Sequence, residues 1–161
     1  FTVPLKAIGI WKLDVDLYLI KARTDAGIGD FAAMSEEQRE QVLKAKKDNV
    51  DYEVFDEIPF WSNGGGFTNK LRNTLYVVDA KAKTCTPITA PLFMTGDVDV
   101  KEGKVLYTGE EYTSRPQRKA SVYLYDVKAK TTECIYDKKE YSIHEAAFFG
   151  EAIVLAAATI R

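Results

Sequence analysis

The side chains that could perform covalent chemistry are few in this sequence and widely spaced. The chain has one histidine, His144, and two cysteines, Cys85 and Cys134. A serine hydrolase needs serine, histidine and a carboxylate, with the serine commonly presented in a Gly-x-Ser-x-Gly turn. No serine of this chain has that context, so a catalytic triad cannot be assembled and we expect no catalytic residue. The serines are Ser35, Ser62, Ser114, Ser121 and Ser142.

Clusters that could hold a metal or a phosphate are equally scarce. Two cysteines and one histidine without close spacing do not make a zinc site, and we expect neither a metal ion nor a cofactor. The glycines at 64–66 lack the Gly-Lys-Ser/Thr ending of a phosphate-binding loop, which favours a tight loop between strands. Asp97, Asp99 and Glu102 could serve a glycosidase or lactonase, but strand alternation and a turn explain them. An independent enzyme is therefore the least favoured function.

Composition excludes several further classes of protein. The chain has 161 residues and a net charge of −2 with the two signs interspersed, which argues against a nucleic-acid groove. No apolar run reaches the roughly 18–20 residues of a membrane span. The chain opens at Phe1 rather than at Met, and we interpret it as a piece of a longer protein. Cys85 and Cys134 are interpreted as free thiols of a reducing compartment, with a disulfide between neighbouring blades as the alternative, and we expect a cytoplasmic location.

The most informative pattern is an internal repeat. Residues 75–88 read Leu-Tyr-Val-Val-Asp-Ala-Lys-Ala-Lys-Thr-Cys-Thr-Pro-Ile, and residues 122–135 read Val-Tyr-Leu-Tyr-Asp-Val-Lys-Ala-Lys-Thr-Thr-Glu-Cys-Ile, at an offset of 47 residues. Seven of the fourteen aligned positions are identical, and Gly103 and Gly150 keep the same offset. A repeat of roughly 40–50 residues built from short strands is typical of β-propeller blades.

Other segments also carry local signals. Apolar and polar residues alternate over 13–19, which predicts a half-buried strand. Ser-Glu-Glu-Gln at 35–38 is a capping box and predicts a surface helix near 35–47. A strand is predicted over 52–59, and a loop with two large aromatic residues and three glycines follows at 60–69.

We therefore predict a mainly β chain that forms a partial β-propeller of about two to three four-stranded antiparallel blades, with one short surface helix near 35–47. Residues 1–161 are interpreted as a single fragment of a propeller domain. The first blade with its helical insertion is assigned to 1–72, and the repeat units to 73–120 and 121–161. Because a cut propeller leaves open edge strands, we expect homo-oligomers to form through them.

One sequence motif, which we call the phrase at 60–69, indicates which family of propellers this chain resembles. Residues 60–69 read Phe-Trp-Ser-Asn-Gly-Gly-Gly-Phe-Thr-Asn, and a basic residue and Leu-Tyr-Val-Val-Asp at 75–79 follow. With its flanks, the segment 51–79 resembles the propeller of the acylaminoacyl-peptidase/dipeptidyl-aminopeptidase branch of the prolyl oligopeptidase family of serine peptidases. The repeats downstream are similar to blades of that family as well, so the resemblance covers roughly residues 50–161.

The resemblance implies a hydrolase made of two parts. In that family a propeller lies over a C-terminal α/β-hydrolase domain that carries the Ser-Asp-His triad, and it restricts entry to short or N-acylated peptides. This chain would contain only the propeller, and the hydrolase domain would be absent from it. Its partner would be a peptide substrate bound with the help of the missing domain, with no nucleic acid and no membrane involved.

Three residues are candidates for substrate binding within such a propeller. Arg72 would face the central channel and pair with a peptide carboxylate, or it would tie the Asn-Gly loop to the next strand. Glu110 and Glu111 would bind a substrate ammonium, as acidic propeller residues do in exopeptidases of this family, or form a solvated hairpin. His144 aligns with Asp97 of the preceding repeat and is interpreted as a turn cap rather than a proton relay.

The residues also leave a second function open. The chain would then be a protein-interaction propeller without enzymatic activity, and the polar segment 110–120 would be its contact surface.

Overall fold

The computed structural model describes residues 2–48, 54–64, 66–117, 119–137 and 140–159. The regular secondary structure of these residues consists of strands and one helix, which confirms the prediction of a mainly β chain with a single short helix. In chain order the elements are β1 (Lys6–Lys12), β2 (Leu17–Asp25), α1 (Glu36–Asp48), β3 (Trp61–Ser62), β4 (Gly66–Phe67), β5 (Leu71–Asp79), β6 (Thr84–Pro87), β7 (Phe93–Lys101), β8 (Lys104–Glu111), β9 (Ser121–Asp126), β10 (Thr131–Tyr136), β11 (Tyr141–Phe149) and β12 (Ala152–Thr159).

The strands form three antiparallel sheets that follow one another along the chain. The first sheet has the order β1-β2-β5-β6, the second β7-β8-β9-β10, and the third contains β11 and β12. The short strands β3 and β4 form a separate hairpin. Within each sheet neighbouring strands follow chain order, as they do in a propeller blade. The predicted four-stranded antiparallel blades are therefore confirmed in the first two sheets.

Strand β8 shows how the sheets pack face to face. Val105 and Tyr107 point to one side and pack with Leu19 and Leu75 of the first sheet. Leu106, between them, points to the other side and joins a cluster with residues of β11. Because successive side chains of a strand alternate between its faces, β8 is buried on both faces, from residue 105 to residue 109.

Carboxylates join the first strands of the second and third sheets. Asp97 Oδ2 accepts a hydrogen bond from the amide of Ala146 at 3.1 Å, and Asp99 Oδ2 accepts one from the amide of Phe148 at 2.8 Å. Residues two apart in a strand share a face, so the two aspartates satisfy alternate amides of β11. The pair that could have suggested a glycosidase is engaged by backbone amides.

The repeated residues have matching structural tasks. Asp79 Oδ1 accepts the amide of Ala82 at 2.8 Å, and Asp126 Oδ1 accepts the amide of Ala129 at 2.8 Å. The lysine that follows each alanine, at positions 83 and 130, has a φ of 56° and 55° respectively. The shared Asp-x-Lys-Ala-Lys sequence is therefore a side-chain-capped turn with one left-handed residue, used twice.

Two smaller predictions are also confirmed. The capping box forms both of its reciprocal hydrogen bonds: the Ser35 amide donates to Gln38 Oε1 at 2.9 Å, and the Gln38 amide donates to Ser35 Oγ at 3.2 Å. Cys85 and Cys134 are both free thiols, and burial raises the pKa of Cys85 to about 11.

In the described part of the chain no helix has the length and apolar character needed to cross a membrane.

The strand predicted over 13–19 is wrong in its first half. Residues 13–16 form the turn between β1 and β2, where the amides of Leu13 and Asp14 both donate to the Leu17 carbonyl, at 2.9 and 3.1 Å. Val15 lies at the tip and is 73% exposed. Two aspartates around one exposed valine reproduce the alternation of a strand without its burial.

The strand predicted over 52–59 is also wrong where it can be compared. Residues 54–59 have no strand pairing, and residues 52 and 53 lie outside the described residues. The backbone here bonds to side chains of Thr68 and Asn69 and to the Ser114 carbonyl of another loop instead of to a neighbouring strand. The repeat unit 73–120 contains strands of two sheets, because β5 and β6 complete the first sheet and β7 begins the second. Its assignment as a unit stays a prediction.

The outer edge of β12 generates a prediction about self-association. Among the described residues β12 pairs with β11 alone, and its sequence Ala-Ile-Val-Leu-Ala-Ala-Ala-Thr has neither a charge nor a proline to protect the edge. We expect light scattering to give a mass above the 18.1 kDa of one chain, and Val154→Lys to lower it toward that value. Val15→Lys, at an exposed turn, is the matched control and should leave the mass unchanged. A wild-type chain that scatters as a monomer would contradict this expectation.

Candidate functional site

Two loops at equivalent places in successive sheets meet to form the candidate site. The aromatic loop, residues 54–70, leads into β5, the third strand of the first sheet. The basic loop, residues 112–120, leads into β9, the third strand of the second sheet. Because the two sheets pack face to face, these connections leave from neighbouring positions and can touch.

Arg72 lies at the junction of the two loops and is fully buried. Its Nε donates to the Leu92 carbonyl at 3.0 Å. Nη1 donates to Glu57 Oε2 at 3.2 Å and to the Leu71 carbonyl at 3.1 Å. Nη2 donates to Glu57 Oε1 at 2.5 Å and to the Tyr112 carbonyl at 3.1 Å. A guanidinium has five N–H donors, so every donor has an acceptor.

Glu57 is the counter-charge of this arginine. It is 3% exposed, although the loop residues on either side of it are exposed. Its carboxylate receives both Nη groups of Arg72 and also the amide of Lys70, at 2.8 Å from Oε2. A buried ion pair is tolerated when both charges are fully hydrogen-bonded, as they are here.

The ring of Tyr112 closes the other side of the arginine. The Arg72 guanidinium carbon lies 3.9 Å from the ring centroid, within the range of a cation–π contact. Burial raises the pKa of the Tyr112 phenol, and the charge of Arg72 opposes that rise. Tyr112 therefore contributes both its carbonyl and its ring to the binding of one side chain.

The two loops are also joined directly. The Ile58 amide donates to the Ser114 carbonyl at 2.8 Å. Within the aromatic loop, Thr68 Oγ1 donates to the Pro59 carbonyl at 3.2 Å and Asn69 Nδ2 donates to the Val54 carbonyl at 3.0 Å. The Thr-Asn end of the phrase at 60–69 thus has a local task, which is to close the loop on itself.

A cleft of about 820 Å³ opens where the loops meet, and we call it the insertion cleft. It is lined by three apolar residues, two cations and one amide. They are Ile58, Pro59, Pro116, Arg115, Lys119 and Gln117. Among the described residues that line the cleft there are two cations and no carboxylate.

Aromatic side chains cover the outside of the aromatic loop. The Phe55 ring lies 4.6 Å from the Phe60 ring and 5.0 Å from the Phe67 ring, between centroids. All three remain more than a third exposed, and Trp61 beside them is 53% exposed. We call these four residues the aromatic cluster. An exposed apolar group of this kind is typical of an interaction site.

The structure separates the three residues predicted to bind substrate. Arg72 is buried under both loops with all its donors occupied. Glu110 is half-buried and its Oε2 accepts the amide of Gln117 at 2.9 Å, which holds the returning half of the basic loop. Glu111 is exposed at the end of β8. Substrate binding by these residues stays a prediction.

The single histidine lies on the surface near Glu110. His144, Ser142 and Glu110 line a shallow depression of about 240 Å³. Of the described residues, no hydrogen bond joins the Ser142 hydroxyl to the His144 ring, and no three potential metal ligands come together. His144 occupies a β-bulge in β11, where the pairing register with β12 shifts between residues 143 and 145.

Glu57 is the member of the buried ion pair that the sequence analysis did not single out. A weak signal was present, since Glu57 and Asp56 interrupt an otherwise apolar run from 54 to 61. An acidic residue in such surroundings needs a cation. Nothing in the sequence identifies Arg72, fifteen residues away, as that cation.

Comparisons with known proteins give one kind of similarity. No family model matches the sequence, and no curated protein matches it. The structure is similar to an orthorhombic crystal form and an uncomplexed form of the acylaminoacyl peptidase of Pyrococcus horikoshii, and to an acylaminoacyl peptidase in complex with Z-Gly-Gly-Phe-chloromethyl ketone. Each match has 12% identity and a TM-score of 0.40, and covers 94% of this chain. The chain spans 28–29% of the length of those proteins.

The buried ion pair generates a prediction about stability. Glu57→Gln leaves the Arg72 guanidinium without its counter-charge in a site that water does not reach. Removing one partner of a buried pair lowers the free energy of unfolding by about 3–5 kcal/mol. Urea unfolding monitored by tryptophan fluorescence measures the change. Glu111→Gln is the matched control at an exposed position and should change stability by less than about 0.5 kcal/mol. Equal effects of the two substitutions would contradict the role given to the pair.

Proposed function

We propose that this chain is the non-catalytic, access-controlling part of the propeller of a serine exopeptidase that acts on short or N-acylated peptides. The enzyme would belong to the acylaminoacyl-peptidase/dipeptidyl-aminopeptidase branch of the prolyl oligopeptidase family. The chain would shape the route by which a peptide reaches a catalytic serine that this sequence does not contain.

The organisation of the sheets is the observation that supports this proposal most. Three antiparallel sheets follow one another along the chain, and the middle one packs against both of its neighbours. Asp97 and Asp99 bond the first strand of one sheet to the first strand of the next. Such an arrangement is expected of propeller blades, whose first strands surround a central channel.

The aromatic loop supports the narrower assignment. The phrase by which the sequence resembles this peptidase family lies in this loop and its Thr-Asn end closes the loop through Thr68 and Asn69. The loop then meets the basic loop above the Arg72–Glu57 pair. Two loops held in place at one end of neighbouring blades are suited to narrowing an entrance. Because their backbones are already ordered, they lose little conformational entropy when a substrate binds.

The decisive experiment uses the longer protein encoded by the same gene. A fluorophosphonate probe should label a serine in a Gly-x-Ser-x-Gly turn outside residues 1–161. The labelled protein should hydrolyse N-acetyl-alanine p-nitroanilide and short peptides, and should leave a long unfolded polypeptide intact. The 161-residue chain alone should hydrolyse none of them. Absence of a labelled serine would contradict the peptidase proposal, and equal cleavage of long and short substrates would contradict the access role.

A second candidate function is favoured by the aromatic cluster. The Phe60 and Phe67 rings both pack against the Phe55 ring while all three remain exposed, as they would on a propeller that binds another protein and has no enzymatic activity. The same labelling experiment separates the two functions, because an interaction propeller has no fluorophosphonate-reactive serine anywhere in its polypeptide.

A further inference from the structure

We propose that the insertion cleft binds a carboxylate that is joined to an apolar group, the chemistry found at the carboxyl terminus of a short peptide that ends in an apolar residue. The proposal concerns this cleft alone. It does not depend on the peptidase function, since it requires binding and no cleavage.

The cleft is built before any ligand arrives. Its two walls are joined by the bond between the Ile58 amide and the Ser114 carbonyl. Both walls are fixed from below, because Arg72 holds Glu57 of the aromatic loop and the Tyr112 carbonyl of the basic loop. The returning half of the basic loop is held by the Gln117 amide on Glu110. A ligand would therefore enter a site whose backbone is already ordered, which lowers the entropic cost of binding.

The charge of the cleft selects an anion. Arg115 and Lys119 line it, and its described lining residues include no acid. The carboxylates nearest along the two loops are already engaged: Glu57 with Arg72, Glu110 with the Gln117 amide, and Asp56 with Lys70 at 2.6 Å. The ion pairs among the described residues are Lys46–Asp25, Lys70–Asp56 and Arg72–Glu57, so neither cation that lines the cleft takes part in one of them. An arginine fork matches the geometry of a carboxylate and can bind it through two parallel hydrogen bonds.

The remaining lining residues determine which chemical group joined to the carboxylate can fit in the cleft. Ile58, Pro59 and Pro116 offer apolar surface, and Ile58 is 67% exposed. Gln117 supplies an amide that can bond a peptide group. The volume of about 820 Å³ falls in the range of roughly 300–1,000 Å³ typical of small-ligand sites. An inorganic anion would leave the apolar surface exposed, and an apolar molecule would leave the cations unpaired.

The test is a titration of the ¹⁵N-labelled chain followed by NMR, with N-acetyl-Ala-Leu as the probe. The amides of Ile58, Gln117 and Lys119 should shift together and saturate. The carboxamide of the same dipeptide should bind about tenfold more weakly, because it lacks the charge-assisted hydrogen bonds. Hexanoate, an apolar carboxylate without a peptide group, should also bind more weakly. Binding of hexanoate as tight as that of the dipeptide would overturn the assignment to a peptide.

Variants connect the binding to the cleft. Arg115→Gln with Lys119→Gln should weaken binding of the carboxylate probe about tenfold and abolish its advantage over the carboxamide. Lys81→Gln with Lys128→Gln is the matched control, since it removes two exposed lysines from turns of the repeat. Unchanged amide dispersion in both double variants will show that the fold is kept. An equal loss in the control pair, or no preference for the carboxylate in the wild-type chain, would overturn the proposal.

Discussion

The guanidinium of Arg72 is the interaction on which the site depends. It belongs to β5 of the first sheet, yet its donors reach the aromatic loop at Glu57, the approach to β7 at Leu92 and the exit of β8 at Tyr112. One side chain therefore ties together two sheets and two loops. A lysine could not replace it, because three donors on a flexible stem cannot meet five acceptors fixed in different directions. The cleft above it exists because these acceptors are held in one arrangement.

The energetic role of this pair differs from that of the apolar core. Burial of Leu19, Leu75 and Val105 between the first two sheets stabilises the fold in a way that tolerates repacking. A buried ion pair adds little net stability, since desolvation offsets most of the attraction between the charges, but it strongly disfavours any arrangement in which one charge loses its partner. Arg72 and Glu57 thus specify where the loops lie, and the core supplies the free energy.

The structural features that could be predicted from the sequence are those that depend on residues close together in the chain. The turns at Asp79 and Asp126 and the capping box at Ser35 depend on residues within a few positions of each other, and the capping box was predicted at the correct place. The offset of 47 residues correctly indicated blade-like sheets, but it did not locate their boundaries. The copies at 75–88 and 122–135 form the last two strands of the first and second sheets, so each sheet boundary lies just after a copy. The site could not be predicted because it depends on contacts between loops distant in the chain. The first half of the strand predicted over 13–19 shows the converse, since a local alternation of apolar and polar residues there belongs to an exposed turn.

One buried pair holds the two loops as a unit, and native-state hydrogen exchange tests this coupling most directly. The amide of Ile58 bonds across the loops to Ser114, and the amide of Lys70 bonds to Glu57. We expect both amides to be protected and to exchange through the same opening, with equal free energies of opening and equal dependence on denaturant. Exchange of the Ile58 amide at the rate of an unstructured peptide, while the Lys70 amide stays protected, would contradict it.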